Sequence, residues 1–247
     1  MGQNKLQRFA DIATFGNVYE YPEHMKGKWN DHFKNDAPIT LELACGKGEY
    51  TIGLAAMYPK RNFIGIDVKG NRIWVGAKKA LDNSLSNAAF LRTQIGMIES
   101  YFSIDEVDEI WITFPDPQLR ISNIRRRLTH PIFLRKYKQF LKHGGYINLK
   151  TDSPTLYAFT KEVINTYGLN LIKDSTDISI DFPNDADLEI KTHYENLDIA
   201  KSKRIHYLKF SIDSDLDESL DEILKQKVLD IEKGIREGFY RDEKKID

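Results

Sequence analysis

The chain has 247 residues, 41% hydrophobic and 30% charged, with a net charge of −1. That is the composition of a globular protein with a sizeable core, and it excludes a membrane-spanning chain, because no apolar run approaches the ~20 residues a span needs. One cysteine, Cys45, excludes an internal disulfide, and with no apolar signal core near the start the expected location is the cytoplasm, without membrane association.

Residues 1–36 read as an irregular, polar N-terminal arm carrying scattered aromatics such as Tyr19, Trp29 and Phe33. "ITLELACG" (Ile39 to Gly46) is a short apolar run ending in glycine, which predicts a buried strand. A helix follows over Glu49 to Met57, then a strand over Asn62 to Asp67 and a helix over Lys69 to Leu81. Ala88 to Thr93 and Asp108 to Phe114 predict the third and fourth strands. Thr129 is the expected N-cap of a helix that stops at Gly144-Gly145. Tyr146 to Asp152 predicts a fifth strand, and Ser153-Pro154 opens another helix. Leu169 to Lys173 and Arg204 to Ile212 complete seven strands, with a polar insertion over Asp174 to Lys203 between them. An acidic helical extension occupies 213–247. Strands alternating with helices predict an α/β fold, a doubly wound, mostly parallel seven-stranded sheet in one domain over 37–212.

Charge is unevenly placed. Phe114 to Lys150 holds nine Lys/Arg and one acid, Asp116, whereas Asp213 to Asp247 holds twelve acids and seven bases. A basic stretch in a neutral protein predicts a local polyanion site, or else a solvated helix face.

Ligands of open α/β sheets bind beyond the carboxyl ends of the strands. The first strand ends in "ELACGKGEYT", where Gly46 and Gly48 allow a tight turn and close backbone approach. Asp67 stands 21 residues beyond Gly46, where an acid can accept ribose hydroxyls. The third glycine of the dinucleotide fingerprint is missing. Glu42, just before the turn, would repel a pyrophosphate but suit a cation. S-adenosylmethionine, with a sulfonium and an amino group, is therefore favoured over a nicotinamide dinucleotide. Gln94, ending the third strand, can hydrogen-bond an adenine edge. No clustered Cys/His signal points to a metal.

After the fourth strand comes Pro115-Asp116-Pro117, in which Pro117 biases Asp116 towards an extended backbone. With "LELACGKGEYT", "FIGIDVK", "ITFPDP", "RRRLTHPIFL", "GGYINLKTD" and "THYE" in that order, the chain resembles the bacterial S-adenosylmethionine-dependent tRNA (guanine-N7)-methyltransferases over about residues 36 to 212. The resemblance implies a class I methyltransferase fold and methyl transfer to N7 of a guanine in the variable loop of tRNA. It implies cofactor contacts from Glu42, Gly46, Gly48, Asp67, Gln94 and Asp116, and a catalytic role for Asp116. Arg120, Asp152, Thr192, His193, Tyr194 and Glu195 would contact substrate, and Arg125, Arg126 and Arg127 would grip phosphates. The loop after Pro117 departs from the family, which usually continues with Trp-Pro and several basic residues where Gln118, Leu119, Ile121, Ser122, Asn123 and Ile124 stand here. Rival readings are a methyltransferase acting on another guanine-containing RNA or a small molecule, and a non-catalytic tRNA-binding relative. Monomer and homodimer are both compatible with the sequence.

Overall fold

The central strand, Ile39–Leu43 (β2), is buried at every position and lies parallel between Asn62–Asp67 (β3) and Val107–Thr113 (β5). A strand covered on both faces must be largely apolar, and Glu42 is its charged exception. In the computed structural model, which describes residues 2–196 and 204–231, the order continues outwards. Ala88–Arg92 (β4) pairs with β3, and Leu141–Thr151 (β6) with β5. An antiparallel hairpin of Asn170–Ser175 (β7) and His206–Ser211 (β8) joins β6 through β8. These seven strands run β4-β3-β2-β5-β6-β8-β7.

An eighth strand lies beyond them. Val18–Glu20 (β1) pairs in parallel with β4. The N-terminal arm is thus not irregular. It holds the helix Gly2–Ile12 (α1), then β1, then the helix Trp29–Phe33 (α2). Its aromatics fix it: Trp29 is fully buried, stacks on Phe102 with ring centres 5.6 Å apart, and donates Nε1–H to the Tyr101 carbonyl at 2.9 Å. A three-residue strand is too short for an alternating pattern to show in the sequence.

Helices cover both faces. Glu49–Met57 (α3) and Gly70–Asp82 (α4) follow β2 and β3. Adjacent strand residues feed separate cores: Ile64, Leu91 and Ile112 go to one face, Phe63, Phe90 and Trp111 to the other, as a two-residue period requires. The helix expected up to Gly144 is shorter, Pro131–Lys138 (α5). The glycine pair instead lies inside β6, where Gly144 has φ +74° and the pairing with β5 shifts register between Val107 and Glu109. Glycine marks strand irregularities as readily as helix ends.

Pro154–Tyr167 (α6) precedes the hairpin, with the Ser153 hydroxyl accepting from Leu156 N. The segment expected as a loop carries three one-turn helices: Ile178–Asp181 (α7), Ala186–Glu189 (α8) and His193–Asn196 (α9). Ile178 and Leu188 anchor it on the sheet beside Trp111 and Tyr207. A final helix is described over 221–231, where Leu224 and Val228 join the larger core. Residues 232–247 of the acidic extension, and 197–203, lie outside the described residues. Among the described residues no helix is long and apolar enough to cross a membrane.

Candidate active site

The turn after β2 brings its backbone to the carboxyl edge of the sheet. Ala44, Gly46 and Gly48 all have positive φ. At Gly48 a Cβ would also sit 2.5 Å from the Phe90 ring, so glycine is required by conformation and by space. Asp67, at the end of β3, ties the turn down: Oδ2 accepts from Gly46 N at 3.0 Å and Oδ1 from Lys69 N at 2.8 Å. A cleft of about 410 Å³ opens here, lined by Glu42, the turn from Ala44 to Lys47, Glu49 of α3, Arg72 of α4, Thr113 and Phe114 from the β5 side, and Thr192 and His193 from the insertion.

Glu42 forms part of the cleft floor at 3% exposure. Its Oε2 accepts from Thr51 N at 2.8 Å and Thr51 Oγ1 at 2.6 Å, and Oε1 accepts from Thr113 Oγ1 at 3.2 Å. No lysine or arginine forms an ion pair with it among the described residues, although Lys47 and Arg72 line the same cleft. Burial pushes its carboxyl up to about 7, against the pull of the threonine hydrogen bonds, with Glu49 adding repulsion. Burial, with the nearby acids Glu42, Asp67 and Glu49, holds the Cys45 thiol well above its usual range, which disfavours the reactive thiolate.

The roof is built differently. Thr192 N donates to Glu195 Oε2 at 2.9 Å, and Glu195 N donates to Thr192 Oγ1 at 3.3 Å. This is a reciprocal capping box at the start of α9. Glu195 Oε1 also lies 3.0 Å from Lys150 Nζ, which donates to the Leu188 and Ile190 carbonyls at 2.9 and 3.1 Å. Lys150 is fully buried, with its Nζ 5.2 Å from the Tyr50 ring centre and 5.4 Å from that of Phe114. One buried ammonium thus fastens the insertion to the sheet. The carboxylate of Glu195, expected to face substrate, is engaged inside the protein.

Asp116 is exposed on the loop beyond β5, and its Oδ1 accepts from Gln118 N at 2.9 Å. Phe114 and Gln118, on either side, have φ +46° and +48°. Phe114 lines the cleft and Asp116 stands beyond its wall. Asp152, half-buried, directly follows β6, the next strand. Gln94 is exposed at the end of β4 and does not line the cleft. The side chain of Tyr194 lies outside what is described.

The basic stretch divides. Arg127 is fully buried, with Nε and Nη2 donating to the Pro117 and Gln118 carbonyls at 3.0 and 3.2 Å. The expectation that it grips phosphate is corrected: it cannot reach solvent. Arg135 pairs with Asp221 at 2.5 Å, Lys136 with Glu99, Lys138 with Asp215, and Lys142 with Asp108 at 2.7 Å. Most of the apparent nine-to-one imbalance is internal pairing with acids elsewhere in the chain. Arg120, Arg125 and Arg126 remain exposed with no acid partner among the described residues. Sequence reasoning overlooked Thr51, Thr113 and Lys150; a lysine inside the apolar strand "YINLKTD" was the available signal.

A family described as "Putative methyltransferase" matches residues 36–208. The tRNA (guanine-N(7)-)-methyltransferase of Bacteroides thetaiotaomicron is 44% identical over 221 residues, 86% of this chain and 87% of that one. Its counterpart in Christiangramia forsetii is 44% identical over 220 residues, 85% and 98% of the two chains. Among solved structures, the 16S rRNA methyltransferase KamB superposes with a TM-score of 0.56 at 14% identity, covering 76% of this chain and 94% of that one. A 30S ribosomal A1408 methyltransferase from an uncultured bacterium gives 0.55 at 17%, covering 77% and 95%. At such identities these structures share the fold alone, and that fold is the class I methyltransferase sheet described above. With a glycine turn, an acid-floored cleft and a Pro-Asp-Pro loop at one edge of that sheet, and with relatives of this identity along most of its length, the chain belongs to the tRNA (guanine-N7)-methyltransferase family.

Proposed function

We infer that this protein transfers a methyl group from S-adenosylmethionine to N7 of a guanine in tRNA, the variable-loop guanine in our reading, and that it works in the cytoplasm. The observation that carries the reading is the meeting of the glycine turn and the β5 loop at one cleft, in a chain 44% identical to enzymes named for this reaction.

The cofactor supplies a methyl group already activated on a sulfonium. The residues present fit it: Glu42 is a buried carboxylate on the cleft floor with no ion-pair partner among the described residues, and a positively charged ligand supplies what it lacks. Gly46 and Gly48 let a ligand approach the backbone. Asp67 has spent one lone pair of each oxygen on backbone donors, and the others can accept ribose hydroxyls. Gln94 is our candidate for the adenine edge.

Guanine N7 carries an in-plane lone pair and no proton, so no base is needed before it attacks. The protein must align it and exclude water. N7-methylguanine is cationic, and a nearby carboxylate stabilises that charge as it develops. We assign this to Asp116, with Asp152 as a second acceptor for the guanine edge. Thr192 and His193 contact the substrate from the roof in this reading, and Tyr194 remains a candidate from the sequence, whereas Glu195 holds the roof in place. Arg120, Arg125 and Arg126 meet the tRNA backbone.

The test is transfer of labelled methyl to unmodified tRNA, with the base and its position identified by mass spectrometry. Asp116→Asn should keep cofactor binding and lose most turnover; near wild-type rates would move the role to Asp152. Changing Arg125 and Arg126 together to alanine should lower the salt slope of tRNA binding by about two, about one per phosphate contact. An unchanged slope would make these arginines structural.

A further inference from the structure

Three consecutive arginines face two environments. Arg125 and Arg126 are exposed and Arg127 is wholly enclosed. Its guanidinium lies 4.7 Å from the centre of the Phe159 ring on α6 and reaches back over about ten residues to the Pro117 and Gln118 carbonyls. The Pro117 carbonyl belongs to the same peptide group as the Gln118 N–H, and in a planar trans peptide the two point in opposite directions. With Arg127 holding the carbonyl on one side, the N–H is turned to the other, where it donates to Asp116 Oδ1 at 2.9 Å. Gln118 itself follows with φ +48°, a value a residue with a Cβ adopts infrequently. The sequence of contacts is therefore Arg127 to the Pro117–Gln118 peptide to Asp116.

We propose that Arg127 is a positioning residue for methyl transfer, fixing the Pro117–Gln118 peptide group so that its N–H aims the Asp116 carboxylate. This rests on the role given to Asp116 above. The choice of arginine follows from the geometry. Two carbonyls from consecutive residues need two donors fixed in a plane, which guanidinium provides and ammonium does not. The aromatic face of Phe159 offsets part of the cost of burying the charge. An arginine kept for phosphate would stand at the surface with its two neighbours.

The experiment compares wild type with Arg127→Lys, Asp116→Asn and the double variant. It measures turnover and KM on tRNA, cofactor affinity by calorimetry, thermal unfolding, and tRNA binding across a salt series. Arg127→Lys should lower kcat about 10- to 100-fold, with KM, cofactor affinity and salt slope unchanged. In the Asp116→Asn background the same change should have almost no further effect on single-turnover rates. Arg127→Gln, which can donate to one carbonyl at most, should reproduce the kcat loss, and it carries the test if Arg127→Lys does not fold. A salt slope lower by about one with kcat intact would make Arg127 a phosphate ligand and overturn the proposal. A lower melting temperature with kcat intact, or equal losses in both backgrounds, would overturn it as well. If Asp116→Asn itself turns over normally, the role of Asp116 fails and this proposal fails with it; if only Arg127→Lys and Arg127→Gln do, the positioning role alone fails.

Discussion

Glu42 and Glu195 are both largely enclosed acids beside one cleft, and they are stabilised in opposite ways. Glu195, in the roof, has the Lys150 ammonium at 3.0 Å and a backbone donor. Glu42, in the floor, has hydroxyls and one backbone donor but no ion-pair partner among the described residues. Burial raises the Glu42 carboxyl to about 7, while at Glu195 an opposite charge is built in. The comparison separates an acid that serves the architecture from one left open to a ligand. An acid whose charge is already balanced gains little from an incoming cation; one that is desolvated and unbalanced gains much.

Breaking the roof should give the largest effect. Lys150→Met strands Glu195 and leaves the Leu188 and Ile190 carbonyls without their donor, which should cost about 3–5 kcal/mol in urea unfolding. Adding Glu195→Gln removes the orphaned charge and should restore a large part of that loss. A single variant within about 1 kcal/mol of wild type would show that the pair contributes nothing to holding the insertion.

The floor should show itself through pH. Unfolded, Glu42 loses its proton near 4.5; folded, it keeps it to about 7. Its contribution to stability is therefore fully present below 4.5, declines as pH rises and is gone above about 7. The displacement corresponds to about 3 kcal/mol. Glu42→Gln cannot ionise, so its stability relative to wild type should rise by about that amount between pH 4.5 and 8; a flat difference would refute the assignment. The same variant should bind the cofactor about tenfold more weakly. Wild-type affinity should increase from pH 6 to 8 with proton release on binding, read by calorimetry in buffers of different ionisation enthalpy.

The smallest effect sharpens the floor's internal balance. Thr113→Val removes the 3.2 Å hydrogen bond to Glu42 Oε1. It should cost about 0.5–1.5 kcal/mol at pH 8, where Glu42 is ionised, and less at pH 5.

These contrasts mark what could be read in the sequence. The alternation of strands and helices, the glycine turn and the Pro-Asp-Pro loop are local signals, each written in a few adjacent residues, and the architecture follows from them. Partners distant in the chain left no such trace. Arg125, Arg126 and Arg127 read as one run, yet the short 3-10 turn over Ile121–Arg126 and its exit send the third inwards. Lys138 and Asp215 are 77 residues apart, so a charge tally over one segment counts as free what the fold neutralises. Thr192 and Glu195 carried two meanings at one spacing, capping box and substrate contact. The first is observed, and it is the reason that Glu195 is not assigned to the guanine.

β1 has a consequence for the isolated domain. It closes the side of β4 that would otherwise present unpaired amides and carbonyls, and Arg92 pairs with Glu20 across that seam. An open strand edge is a template for another chain. A fragment trimmed to the family core at residue 36 would keep the cleft and its acids but expose that template, and its characteristic failure would be self-association rather than loss of chemistry.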